Sequence, residues 1–263
     1  MMRRYFIKCL FVLEELNMIA IISPSLTMKN CSDDFFNLTL PSQIDMSKKV
    51  VEEIRKLSLE DLEKILCVNS KVGKLNFERY ENLKFDEFGS PAILSYTGTA
   101  YKNIKPSIFN EEEIKFCSEH VRILSGLYGV LKPYDSIYEY RLELKTRINI
   151  LGNEDLYKYF GDSMYKNLVN CDRKIVNLCS SEYSKAIIPY LSHEDEFLTC
   201  SFKINKNGIL KSMSTDAKAS RGSMINFIVK NKINDFESLK NFNDNGYTFD
   251  ERLSNSTEYV FVK

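Results

Sequence analysis

The sequence predicts an α/β fold of the mixed (α+β) kind, a single domain in which a mixed β-sheet is nested among α-helices. Three observations carry this. Short apolar, β-branched runs at Ile19–Ile22 and Lys174–Cys179 have the length and composition of buried strands. Segments with apolar residues at helical spacing separate them, over 45–57, 70–83 and 153–169. No repeat, low-complexity tract or Gly/Ser/Pro-rich linker divides the 263 residues, so one core is the economical arrangement.

The elements follow in chain order. Residues 1–17 have a basic start and an apolar stretch, but Lys8 interrupts it, Glu14 and Glu15 follow, and no small-x-small cleavage site appears. Export is therefore not expected. Met18 opens the first strand and is the expected natural start, with 1–17 a start-codon misassignment or a loosely attached helix and 18–263 the domain. Ser23-Pro24-Ser25 breaks the strand. In 45–57, Met46, Val50, Val51, Ile54 and Leu57 share a helical face, and Ser58-Leu59-Glu60-Asp61 announces the next helix. Ser70 to Leu83 reads as a third helix. Ala92-Ile93-Leu94-Ser95 reads as a second short strand. Asn110-Glu111-Glu112-Glu113 caps and charges a helix expected to run to about Leu124. Phe197–Ile204 and Ile209–Met213 form a hairpin turned by Asn205-Lys206-Asn207-Gly208. Ser214-Thr215-Asp216 caps a last long helix, with Met224, Ile225, Phe227 and Ile228 packing inward.

Composition narrows the function. With 44% hydrophobic and 27% charged residues the chain can bury a sizeable core. Lys and Arg number 36, as do Asp and Glu, so no chain-wide field advertises nucleic acid or an anionic membrane, and any anion site is local. The seven cysteines are odd in number, dispersed and never in a CxxC pair, which fits reduced thiols in a cytoplasm. No apolar run of roughly 18 residues exists to form a membrane helix. His120 and His193 sit in no metal-ligand spacing, so no metal and no cofactor is expected, and His193-Glu194-Asp195-Glu196 reads as a solvated loop. GxGxxG, GxxxxGK[ST] and GxSxG are all absent.

Four polar clusters follow apolar runs or tight turns, where sheet-based folds place binding sites. The first is Ser23-Pro24. The second runs from Arg122 to Asp135 with Gly126, Tyr128 and Gly129, followed by Tyr140-Arg141-Leu142-Glu143. In extended chain Arg141 and Glu143 share a face, able to pair with each other, to contact a ligand together or to hold a loop. The third, Asn177 to Lys185, places Glu182, Tyr183 and Lys185 just beyond a strand. The fourth sets Lys218 and Arg221 on one face near a helix start. Cations there oppose the helix dipole by ~0.3–1 kcal/mol each, which an anion such as phosphate would offset. Between Phe202 and Lys232 seven Lys or Arg face one acid, Asp216. An ordinary lysine-rich surface is the alternative.

At these clusters the sequence resembles the YaaA family of peroxide-stress proteins, from Met18 almost to the end. The resemblance rests on Ile22-Ser23-Pro24, Leu124 to Pro133 with Asp135, and Tyr140 to Glu143. It continues through Leu156-Tyr157 with Gly161-Asp162, Asn177-Leu178 with Ser180 and Glu182-Tyr183, and Ala217-Lys218 with Arg221-Gly222. Phe242, Gly246-Tyr247 and Phe249 look like the family's close. It implies a sheet nested among helices, a cytoplasmic protein, DNA bound in a positive cleft, a helix-hairpin-helix element, and a role in limiting iron-dependent peroxide damage. Glu111–Leu124 and Gly126–Gly129 are the place for that hairpin, with Pro133 interrupting any second helix. Leu26 stands where the family usually has lysine, Thr97-Gly98-Thr99 replaces a Lys-Gly-Asp step, Cys179 stands where alanine is common, and Ala219 replaces a basic residue. Each lost phosphate contact weakens binding and its salt dependence.

The leading reading is a DNA-binding protein with little sequence preference, Arg122, Arg141, Lys185, Lys218 and Arg221 contacting phosphates, and Ser23, Gly126, Tyr128, Gly129 and Tyr183 completing the cleft. No membrane and no protein partner is implied. The alternative is an enzyme acting on a nucleotide or phosphorylated metabolite, with Glu143 or Glu182 as acid or base. Direct iron storage ranks last. Cys179, at a strand end beside an acid, is expected to have a raised pKa and a structural role rather than a redox one.

Overall fold

The computed structural model describes residues 18–31, 37–170 and 173–263; the extension 1–17 lies outside the described residues. The chain enters through β1 (Met18–Ile22), buried at all five positions. Three helices follow, α1 (Ile44–Ile54), α2 (Leu59–Leu66) and α3 (Ser70–Asn82). Ser58 caps α2 by accepting the Asp61 N–H, and Asn69 caps α3 through the Val72 N–H, so two of the three starts follow from local polar residues. Next come β2 (Ser90–Pro91), the short helices α4 (Ala92–Ser95) and α5 (Thr99–Ile104), and α6 (Glu111–His120). Asn110 and Glu113 form a complete capping box on α6.

Without a loop, α6 passes into β3 (Val121–Ser125), which leads to β4 (Gly129–Leu131) and β5 (Ser136–Ile137). Then follow α7 (Leu156–Phe160), α8 (Ser163–Val169), β6 (Lys174–Leu178), α9 (Ser181–Ser184), β7 (Glu196–Lys206) and β8 (Ile209–Lys211). The chain closes with α10 (Ser214–Lys230), α11 (Phe236–Leu239), β9 (Thr248–Phe249) and β10 (Glu258–Val262).

Among the described residues one sheet of eight strands runs β4-β3-β1-β6-β7-β10-β9, with β8 hydrogen-bonded to β7; β2 and β5 form a separate pair. Strands β3, β1, β6, β7 and β10 are parallel, while β4, β8 and β9 are antiparallel. The sheet is mixed and wrapped in helices, as expected. Its central strands are buried on both faces, which is why they read as continuous apolar runs. The C-terminal signature is core: the Phe242 ring meets Phe202, Phe227 and Phe261 at centroid distances of 5.6–5.9 Å.

Five sequence expectations are corrected. Ala92–Ser95 is a helical turn, not a strand, because the Ala92 and Ile93 N–H groups are taken by the carbonyls of Asp135 and Pro133 in a neighbouring loop. The helix from Asn110 stops at His120, and Val121–Ser125 forms a strand on β1 with Ala20 opposite Val121. Gly126–Gly129 therefore joins two antiparallel strands, and no helix-hairpin-helix lies there. The 153–169 segment is two helices, since Gly161 between them adopts φ +51°. Finally, α10 begins at Ser214 without a side-chain cap, so Asp216 lies inside the first turn and Lys218 and Arg221 fall beyond it. The dipole argument for an anion there weakens accordingly.

A buried carboxyl near this frame gives a pH test. Asp135 accepts from Thr39 Oγ1 at 2.6 Å and from the Lys132 N–H at 2.8 Å, yet burial pushes its pKa from 3.8 to about 6. The folded chain holds this proton more tightly than the unfolded one, so its stabilising effect is complete below pH 3.8 and is lost as pH rises to about 6. In urea titrations from pH 4 to 7, wild type minus Asp135→Asn is expected to decline through that window; a flat difference contradicts it.

Candidate functional site

The chain leaves β1 to place β3 on one side and returns to place β6 on the other. The crevice beyond the carboxyl ends of β1 and β6 is thus a topological switch point, where open α/β sheets bind ligands. Ser23 follows β1 directly. Its Oγ accepts the Ser180 N–H at 2.9 Å and lies 3.4 Å from Ser180 Oγ, stitching the two strand ends together. The Ser23 carbonyl accepts from Tyr101 Oη at 3.1 Å.

Tyrosines wall the crevice. Tyr140 Oη lies 2.8 Å from Tyr96 Oη and 2.7 Å from Ser125 Oγ, and Ser125 Oγ also accepts the N–H groups of Leu127 and Tyr128, shaping the Gly126–Gly129 turn. Tyr128 packs edge-on to Tyr140 at 5.4 Å. Burial raises the phenol pKa of Tyr183 far above its ordinary value and pushes that of Tyr140 to about 12, so neither ionises near neutrality. Burial likewise pushes the Cys179 thiol to about 12, in line with its structural reading, against the opposing pull of a Ser23 hydrogen bond and the Arg221 charge. That pull places Arg221 beside the same strand end.

Two polar groups here are unusual. Arg221 Nε and Glu182 Oε1 are both inaccessible to solvent and have no hydrogen-bond partner among the described residues. Desolvation lowers the Arg221 pKa, as expected of a guanidinium without a carboxylate. The other Glu182 oxygen lies 3.2 Å from Lys145 Nζ, which also binds Glu143 at 2.9 Å, so one ammonium joins both candidate acids. Those two bonds raise the Lys145 pKa, the Glu143 bond most.

Of the residues singled out from sequence, Ser23, Tyr183, Glu143, Glu182 and Arg221 gather around this crevice, with Gly126, Tyr128 and Gly129 in the turn behind Tyr140. Arg141 does not pair with Glu143, whose partner is Lys145; its carbonyl instead accepts from Tyr80 Oη at 2.8 Å. Arg122 stands apart. It is buried in β3, donates to the Ser118 and Val121 carbonyls, and borders a separate cavity with Lys132 and Tyr134. Lys185 and Lys218 are exposed. The basic run from Lys203 to Lys232 divides as well, since Lys230 and Lys232 are held by Glu113 and Glu112 of α6.

Sequence reading missed Lys145 and the pair Tyr96–Tyr101. A signal for Lys145 existed: Leu142, Leu144 and Thr146 are buried in strict alternation, which sets Arg141, Glu143 and Lys145 on the other face. Nothing local marked the tyrosines, which arrive from a helical turn and a short helix.

Comparison with known proteins shows which family the chain belongs to. A family model described as peroxide stress protein YaaA matches residues 18–253. A UPF0246 protein of Clostridioides difficile is 48% identical over 246 residues, covering 94% of this chain and all of the relative. UPF0246 proteins of Ligilactobacillus salivarius and Desulfitobacterium hafniense are 37% and 36% identical over 243 residues, covering 92% of this chain and 98% and 97% of theirs. With a family model over most of its length and relatives aligned nearly end to end, the chain belongs to the YaaA (UPF0246) family of peroxide stress proteins.

Proposed function

We propose that this protein serves the peroxide-stress response in the cytoplasm by binding DNA with little sequence preference, chiefly through phosphates, and so limits iron-dependent damage. One observation carries the DNA part of this reading. Lys206, Lys211 and Lys218 are exposed on the β7–β8 hairpin and the second turn of α10, and none forms an ion pair among the described residues. Asp216, the acid within that stretch, is held by Lys263 at 2.9 Å. Register sets Lys206 opposite Ile209 and Lys211 opposite Ile204, so both lysines project from one face of the ribbon. The five described cysteines are free thiols, which suits a reducing compartment.

The test is duplex binding by fluorescence anisotropy over a salt series. A Lys206→Ala, Lys211→Ala, Lys218→Ala variant is expected to lower the slope of log affinity against log salt by up to roughly 2.7, at roughly 0.9 per contact. Salt-independent binding, or an unchanged slope, removes the phosphate argument. Arg221 belongs outside this variant because it is mostly buried.

The second reading, an enzyme acting on a nucleotide or phosphorylated metabolite, is favoured by the unpartnered Arg221 Nε and Glu182 Oε1 at the switch point. An anion on Arg221 and a donor on Glu182 would satisfy both groups.

A further inference from the structure

Beside the crevice, and sharing Tyr96 and Tyr101 with it, is a cavity of about 380 Å³ between α4, α5 and the 3₁₀ turn Pro106–Ile108. Three lysines line it: Lys102 and Lys105 at α5, and Lys29 on the loop after β1. Among the described residues no acidic one does. None of the three ammonium groups has a hydrogen bond or ion pair among the described residues, whereas Lys230 and Lys232 nearby in the fold are both matched to glutamates. Thr97 and Ser107 add hydroxyls, and Ile93 with the two tyrosines supplies apolar wall.

All three lysines are exposed, so solvent screens their mutual repulsion, and an anion taken up in the concavity would meet positive charge from two segments of the chain. The volume falls in the range of small-molecule pockets, and the apolar wall exceeds what a bare inorganic ion needs. A duplex offers charged phosphodiesters along a ridge but no apolar body to fill a pit.

We propose that this cavity binds a small phosphorylated metabolite with an aromatic or apolar body, of nucleotide size, its phosphates held by Lys29, Lys102 and Lys105. The site is distinct from the hairpin lysines, so it stands whether or not the DNA reading does.

Isothermal titration of the full chain with ADP as probe, beside inorganic phosphate and adenosine, tests it. ADP is expected to bind more tightly than either fragment, and Lys102→Ala, Lys105→Ala to weaken it at least tenfold. Because α5 packs against α10, a second variant, Lys29→Glu, changes the rim from another segment and is expected to weaken ADP similarly. No ADP binding by the folded wild type at millimolar concentration overturns the proposal. So does ADP affinity unchanged in both variants, or a loss confined to duplex binding, which would assign these lysines to DNA.

Discussion

Gly222→Ala is expected to destabilise the protein by about 3 kcal/mol or more, at the upper end of overpacking costs. In an ordinary helix interior this change stabilises by about 1 kcal/mol, because alanine is the better helix former. Here the sign reverses. A β-carbon at Gly222 would sit 2.0 Å from the Ala100 carbonyl oxygen and 2.8 Å from its carbon, and backbone cannot rotate away as a side-chain tip can. The seam is drawn tight by a further bond, Asn226 Nδ2 to the Ile104 carbonyl at 2.7 Å, so α5 cannot retreat without losing it. The proposed sites meet at this seam, since α5 and its C-cap carry Lys102 and Lys105 while α10 carries Lys218 and Arg221. Urea denaturation of the two proteins measures it. A midpoint equal to or above that of wild type would mean that α5 and α10 do not meet in backbone contact at Gly222.

Arg221→Met is expected to raise stability by about 1–3 kcal/mol, the usual cost of a buried polar group left unsatisfied. The guanidinium is largely desolvated, and among the described residues its Nε has no partner and no carboxylate faces it. Methionine keeps the flexible stem and removes the charge. The same substitution is expected to abolish uptake of an anion at the switch point, so stability and binding move in opposite directions. A loss of stability comparable to a core truncation would show instead that Arg221 holds the fold together.

How far the sequence spoke depends on how local each signal was. The caps at Ser58, Asn69 and Asn110 act within one turn and were readable. So was the β7–β8 turn, where Asn207 and Gly208 take φ +54° and +82° as a tight hairpin requires. Val121–Ser125 was misread as helix because no glycine or proline marks its boundary with α6, and a five-residue apolar run fits either period. Only the free edge of β1 decides between them. Ala92–Ser95 failed for the same reason in reverse.

The candidate site divides along the same line. Ser23, Glu182 and Arg221 were legible as polar residues following strands or opening a helix. That Lys145 bridges Glu143 and Glu182, that Arg221 lies buried beside Cys179, and that Arg122 belongs to another part of the molecule were not legible. By itself the sequence determined the family, the mixed α/β class, the buried central strands and the chemistry on offer, because composition, period and capping act over a few residues. Only the tertiary structure decided which of those groups meet, because strands and helices far apart in the chain become neighbours only when their apolar faces are buried together.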